Sequence, residues 1–114
     1  MIAFSRPVRS PLEDAYLQQA LDSGHAHGDG PFTERASRWL SERHRGAEVL
    51  LTPSATHALE LSALLLDLGP DDDVVVPSFT FTSTANAFAL RGARIRFADV
   101  DPGTFTMGLA EMKA

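Results

Sequence analysis

Asp73-Val74-Val75-Val76-Pro77-Ser78-Phe79-Thr80-Phe81-Thr82-Ser83-Thr84-Ala85-Asn86-Ala87 changes character twice within one short stretch. Three β-branched residues released by a proline read as a short buried strand. Five hydroxyl residues in the seven positions from Ser78 to Thr84 make a polar turn, and Thr84 to Leu90 reads as a helix. Gly92 stops that helix. Downstream, Ile95 to Val100 forms another strand, Asp101-Pro102-Gly103 a turn, and the tail from Thr104 to Ala114 can start a further helix. Upstream, Asp71-Asp72-Asp73 is an acidic turn expected to be solvated, and Gly69-Pro70 is a firm stop. Ala55 to Leu68 is helical, with Ala58, Leu59, Leu61, Leu65 and Leu68 apolar. Val49-Leu50-Leu51 reads as a buried strand, broken by Thr52-Pro53-Ser54. Residues 47–100 thus run strand, helix, strand, helix, strand, which predicts an α/β fold with a mainly parallel sheet.

An N-terminal extension precedes this alternation. Ser10-Pro11-Leu12-Glu13 has the form of a capping box with Pro in the first turn, and Leu12, Tyr16, Ala20 with Leu17, Leu21 give an apolar stripe that Gly24 ends. Gly24-His25-Ala26-His27-Gly28-Asp29-Gly30-Pro31 is a loop, read either as a flexible connection with exposed imidazoles or as one whose glycines let backbone approach a ligand. His25 and His27 have no third ligand at helical spacing, so no metal is expected there, nor at the acidic turn, where consecutive side chains diverge. Phe32 to Arg45 reads as a second helix, closed by Gly46, with Phe32, Ala36, Trp39 and Leu40 on one face and Trp39 expected in the core. The organisation expected is a helical extension with a Gly-rich loop over 1–46 and a strand-helix-strand-helix-strand part over 47–114.

Composition narrows the function. With 44% hydrophobic and 22% charged residues among 114, the chain has the make-up of an ordinary globular protein. A net charge of -5 and no basic patch argue against nucleic acid as a partner. Arg91, Arg94 and Arg96 lie close together and are expected to border a strand and face solvent. There is no cysteine, hence no disulfide framework or thiolate chemistry. The most apolar stretch, Leu61 to Leu68, is too short for a membrane span and the N-terminus lacks a signal-peptide run, so a cytoplasmic protein with no membrane partner is expected. Lys113 is the single lysine.

Two turns could carry chemistry, because in parallel α/β sheets ligands bind beyond the carboxyl ends of the strands. After Leu51-Thr52-Pro53, residues Ser54, Ala55 and Thr56 present free N–H groups and hydroxyls at a helix start, an arrangement suited to an anion. A bulky side chain at 55 would screen that backbone. Ordinary capping by Ser54 explains the same residues, and neither a Walker loop nor a dinucleotide fingerprint is present. In the second turn Phe79 and Phe81 alternate with hydroxyls. Two phenylalanines there are either plain packing or a stacking surface for a planar ring.

Taken together, Leu50-Leu51-Thr52-Pro53-Ser54-x-Thr56-x-Ala58-Leu59-Glu60, Asp73-Val74-Val75-Val76-Pro77-Ser78-Phe79-Thr80-Phe81-x-Ser83-Thr84-Ala85-Asn86-Ala87, Arg91-Gly92-Ala93 and Phe97-x-Asp99-Val100 resemble the DegT/DnrJ/EryC1/StrS family of pyridoxal-phosphate-dependent sugar aminotransferases. Ser23-Gly24 followed by Gly28-Asp29-Gly30-x-Phe32-Thr33 is similar to the branch that makes dTDP-4-amino-4,6-dideoxygalactose, a precursor for cell-surface polysaccharide such as lipopolysaccharide. The resemblance implies the N-terminal part of the large domain of a fold-type I pyridoxal-phosphate-dependent transferase, a mainly parallel sheet with flanking helices. It implies pyridoxal phosphate as cofactor, its phosphate on the backbone at Ala55 and Thr56 beside Ser54, its ring stacked on Phe81, and Asn86 ordering the turn. It places Gly28, Asp29 and Gly30 near the sugar of a nucleotide-linked substrate. Glutamate would be the amino donor and a homodimer the working form.

The resemblance also implies what lies elsewhere. The family's Schiff-base lysine and the acid that bonds the pyridine nitrogen fall beyond residue 114, and Lys113 is not in the lysine motif. No catalytic residue is therefore assigned, and the chain is expected to be inactive alone and to need a complementing C-terminal chain. Two other readings are consistent with the residues. One is a non-catalytic α/β module that binds a phosphate or nucleotide sugar. The other is a sugar dehydratase of the same family, in which histidine replaces the lysine.

Overall fold

Parallel strands cannot be joined by a tight turn, so β1 (Asp73–Pro77) and β2 (Arg94–Ala98) need a crossover, which α4 (Thr82–Ala89) supplies. The computed structural model describes residues 2, 4–25 and 27–113. The other elements are α1 (Glu13–Asp22), α2 (Pro31–Arg43), α3 (Ala55–Leu65) and α5 (Leu109–Lys113). The chain divides into two compact units, Met1–Leu51 and Thr52–Ala114.

In the second unit, β1 and β2 pair in parallel from Asp73 opposite Arg94 to Pro77 opposite Ala98. Alternation sends Val74, Val76 and Ile95 to one face and Asp73, Val75, Arg94 and Arg96 to the other. The buried core is made of small residues: Ala63 from α3, Val76 from β1, Ala87 from α4, Ala93, and Ala98 from β2. Both α3 and α4 start within a residue or two of their expected places, and α3 stops at Leu65, earlier than its apolar pattern suggests. Asp67 there turns left-handed, at φ 52°, and Leu68 N–H donates back to the Ala63 carbonyl.

The expected strand at Val49-Leu50-Leu51 does not form. Leu50 and Leu51 are exposed, and no neighbouring strand among the described residues offers them backbone partners. An apolar run becomes a strand only where another strand accepts its hydrogen bonds.

Charge organises the start of β1. Arg94 Nε donates to Asp73 Oδ1 at 2.7 Å, and its other nitrogens donate to the carbonyls of Pro70 and Asp71, both at 3.0 Å. Arg96 pairs with Asp73 Oδ2 at 2.8 Å. The hydrogen bond from Arg94, reinforced by the charges of Arg94 and Arg96, holds the Asp73 carboxyl below its ordinary range. Asp72 Oδ2 accepts from Gly69 N–H at 2.8 Å. The arginines do face solvent, as their positions suggested, but they clamp the acidic turn, which is not simply solvated. After β2, Asp101 accepts from the backbone N–H groups of Thr104 and Gly103, and these bonds, Thr104's first, lower its pKa.

In the first unit, α1 ends where Gly24 turns left-handed, at φ 67°. Its start differs from the expected capping box. The N-cap is Leu12, with no side-chain cap, while Ser10 Oγ accepts from Leu12 N–H at 3.3 Å. Glu13 is instead drawn to Arg9, 3.7 Å away, and Arg9 also pairs with Asp14. The Tyr16 and Phe32 rings lie 5.4 Å apart, with the Arg35 guanidinium 5.1 and 5.4 Å from their centres. Trp39 is not core: it is 53% exposed and stacks under the Arg43 guanidinium at 3.5 Å.

Candidate anion-binding site

The N-terminus of α3 is built by its own short sequence. Pro53 and the extended Ser54 (φ -159°, ψ 164°) release the chain into the helix. Thr52 Oγ1 donates to the Ser54 carbonyl at 2.9 Å, and the same carbonyl accepts the first helical bond, from Ala58 N–H at 3.1 Å. Ser54 Oγ accepts from His57 N–H at 3.3 Å and sits 2.7 Å from His57 Nδ1. That cap satisfies one of the free donors of the first turn. The N–H groups of Ala55 and Thr56 have no partner among the described residues. They stand at the positive end of the helix dipole with only a methyl group at position 55 to cover them.

A groove of about 390 Å³ opens between α3 and α4. Thr56, Glu60, Thr82, Ser83, Asn86, Ala89 and Leu90 line it. The Thr56 hydroxyl and the Asn86 amide make no hydrogen bond within the described residues, so both remain available to a ligand. The structure thus brings Thr56 and Asn86 to one groove. Ser54 and Ala55 lie at the same helix end but do not line it.

Phe81 is the residue before α4 and is 75% exposed; its carbonyl accepts from Thr84 N–H at 2.9 Å. Phe79 is also exposed, with its ring 5.6 Å from that of Phe105. Neither phenylalanine of this turn is core. Thr80 and Thr84 hydroxyls bond each other at 2.9 Å, and Ser78 donates to Asp99 at 3.2 Å, which orders the turn at the carboxyl ends of both strands.

Gly28, Asp29 and Gly30 belong to the first unit. Asp29 is left-handed, at φ 60°. His25 Nε2 and His27 Nδ1 both lie on the Gly28 carbonyl, at 3.0 and 3.1 Å, with the two rings 3.9 Å apart. Gly30 is buried beneath His25, and a Cβ there would come within 2.7 Å of the ring. Gly30 borders a cavity of about 420 Å³ that Ser23, Thr33 and Arg35 also line.

Sequence reasoning did not single out Glu60, Thr82, Ser83, Ala89 or Leu90. Helical spacing would have indicated several of them: Glu60 follows Thr56 by four, Thr82 precedes Asn86 by four, and Leu90 follows Asn86 by four. The donor set at the α3 end fits a phosphate ester, since two bare N–H groups and a hydroxyl are all donors and no carboxylate belongs to that first turn.

The chain is similar in sequence and in fold to known proteins. The DegT/DnrJ/EryC1/StrS aminotransferase family model matches residues 9–114. The dTDP-4-dehydro-2,3,6-trideoxy-D-glucose 4-aminotransferase of Saccharopolyspora spinosa is 49% identical over 115 residues, covering 98% of this chain and 29% of the relative. The aminotransferase TlmJ of Streptoalloteichus hindustanus superposes with a TM-score of 0.88 at 36% identity, over 99% of this chain and 31% of that one. The PLP-form of the sugar aminotransferase Spr1654 of Streptococcus pneumoniae gives a TM-score of 0.83 at 30% identity, over 98% of this chain and 28% of that one. The chain thus spans less than a third of the length of each of these relatives.

Proposed function

The chain belongs to the DegT/DnrJ/EryC1/StrS aminotransferase family, and from that premise we propose that it is the phosphate-holding part of a pyridoxal-phosphate-dependent enzyme that aminates the C4 keto group of a dTDP-linked deoxy sugar. The observation that carries this reading is the pair of unpartnered N–H groups at Ala55 and Thr56, behind the Ser54 cap, in a chain 49% identical to a dTDP-sugar 4-aminotransferase. Ala55 and Thr56 would bind the phosphate through backbone N–H groups, helped by the Thr56 hydroxyl. Phe81 would lie against the pyridine ring. The Asn86 amide, expected to order the turn, makes no hydrogen bond within the described residues and would instead be open to the ligand in the groove beside Thr56. Gly28, Asp29 and Gly30 would meet the sugar.

When bound, pyridoxal phosphate supplies the electron sink that amino transfer needs. The residues of this chain bind and orient it. No residue here is assigned to hold its aldehyde or to move the proton, so the chain is read as needing further polypeptide for turnover. Glutamate as donor, a homodimeric enzyme and a cytoplasmic setting complete the proposal. Among the described residues no helix is long and apolar enough to cross a membrane.

The test combines this chain with a second chain covering the remainder of the 49% relative, then adds pyridoxal phosphate, glutamate and a dTDP-4-keto sugar. Both the 6-deoxy and the 2,3,6-trideoxy sugars are offered, because the N-terminal motif favours the first and the relative's substrate is the second. A 4-amino sugar detected by mass is the expected result. No new visible absorbance beyond that of free pyridoxal phosphate, and no amino sugar from either substrate, would overturn the reading.

A further inference from the structure

A serine hydroxyl has one proton and two lone pairs, and at Ser54 all of them can be accounted for. One lone pair accepts from His57 N–H at 3.3 Å. The 2.7 Å contact with His57 Nδ1 uses either the proton or the second lone pair. If the imidazole is neutral and protonated on Nε2, Ser54 donates its proton to Nδ1 and has none to give to an anion. If the imidazole is protonated, Nδ1 becomes the donor, both lone pairs are filled, and the Ser54 proton turns outward toward the bare N–H groups of Ala55 and Thr56.

We propose that His57 is a positioning residue: it sets the direction of the Ser54 hydroxyl, so that the α3 N-terminus holds a phosphate ester more tightly when the imidazole is charged. The proposal rests on the phosphate reading above. Two effects act in the same direction, a fourth donor beside the two N–H groups and the Thr56 hydroxyl, and a positive charge one turn from the ligand. The other ionisable side chain on α3 is Glu60, in the groove, and α4, which packs against α3, carries none. Ser54 and His57 are both exposed, so the pair can exchange protons with solvent.

Two measurements on the 114-residue chain test it. The first uses no ligand. Long-range nitrogen NMR of the His57 ring, compared between the native chain and Ser54→Gly, reports which nitrogen carries the proton; glycine is tolerated at an N-cap, so the helix start survives. An Nε2–H preference that disappears in Ser54→Gly is expected, and the same tautomer balance in both overturns the proposal.

The second follows binding of pyridoxine 5′-phosphate, which has no aldehyde to react with amines, by phosphorus NMR from about pH 8 to about pH 5.5, where imidazole changes charge. The ligand's own titration cancels in the ratio of native to His57→Ala affinities. That ratio is expected to rise roughly two- to fivefold as the pH falls, the size of a charge effect at a helix end. A flat ratio overturns the proposal while leaving the phosphate site standing. His57→Glu keeps a side chain able to cap but no ring proton, and is expected to lose the pH response. Native-like behaviour of His57→Glu reduces His57 to a cap and overturns the proposal. If no chain binds the phosphate at any pH, the site reading itself fails, and with it the phosphate half of this inference.

Discussion

At the scale of single residues, Thr56 and Asp73 do opposite things with hydrogen bonds. Thr56 leaves its N–H and hydroxyl open, whereas Asp73 spends both carboxylate oxygens on Arg94 and Arg96. Thr56→Val keeps the shape and removes the hydroxyl. Phosphate-ester affinity should fall by the worth of one hydrogen bond, about 0.5–1.5 kcal/mol, with the unfolding midpoint nearly unchanged; equal affinity by titration would remove the Thr56 hydroxyl, though not its N–H, from the site. Asp73→Asn should lower the unfolding midpoint at neutral pH. The Asp73 carboxyl titrates below its ordinary 3.8, so its stabilising contribution is present above that value and is lost as the pH falls through the folded value. The gap between native and Asp73→Asn midpoints should therefore close in acid, and a gap that stays constant down to strong acid would show that Asp73 acts by something other than charge. Its exposure keeps the effect small and salt-sensitive. The Ser54, Ala55 and Thr56 arrangement was legible in the sequence because a cap is made by neighbours in the chain. The contact of Glu60 and Ser83 with the same groove was not, because it depends on how two helices pack.

At the scale of elements, the β1–α4–β2 unit is held by its connections. Gly92 leaves α4 in a left-handed conformation, at φ 87°, and a Cβ there would sit 3.1 Å from Pro70 Cγ. Both facts disfavour a side chain, so Gly92→Ala should destabilise the chain by about 1–2 kcal/mol. Gly69→Ala is the control: it has open space around the added methyl and no positive φ, and should be neutral within about 0.5 kcal/mol. Equal thermal shifts in the two variants would contradict this account. The same unit was the most readable part of the sequence, since Val74-Val75-Val76, Pro77 and Gly92 each act on their own backbone. Val49-Leu50-Leu51 was misread for the converse reason: apolar character says that a segment prefers burial, but a strand exists only beside another strand. Trp39 shows the same gap. Periodicity identifies the face it shares with Phe32, and only three-dimensional packing decides whether that face is covered; here Arg43 covers the ring instead. The capping box at Ser10 does not form: Ser10 Oγ accepts from Leu12 N–H, and the Glu13 carboxylate lies 3.7 Å from Arg9.

At the scale of the whole molecule, the balance between buried and exposed apolar side chains is unusual. Among the described residues, the buried hydrophobic ones are four alanines and Val76. Larger side chains of the second unit remain in water: Leu64, Leu65 and Leu66 at the end of α3, Val75 on β1, and Phe97 on β2, with Leu65 70% and Phe97 63% exposed. A fully buried leucine or phenylalanine gives about 1.5–3 kcal/mol that an exposed one does not, so each of these positions holds stabilisation that folding has not yet used. Large apolar side chains left exposed in this number mark places where other protein sits, and among the described residues no strand lies beside the outer edge of β1 or of β2. The 114-residue chain should therefore self-associate: its mass by light scattering should climb with concentration, and it should enhance the fluorescence of an apolar dye. Placing Glu at both Leu65 and Phe97 should lower both signals without loss of the helical circular dichroism, because neither side chain belongs to the buried core. A native chain that stays monomeric at every concentration and leaves the dye dark would mean that these side chains are already satisfied by the fold as it stands.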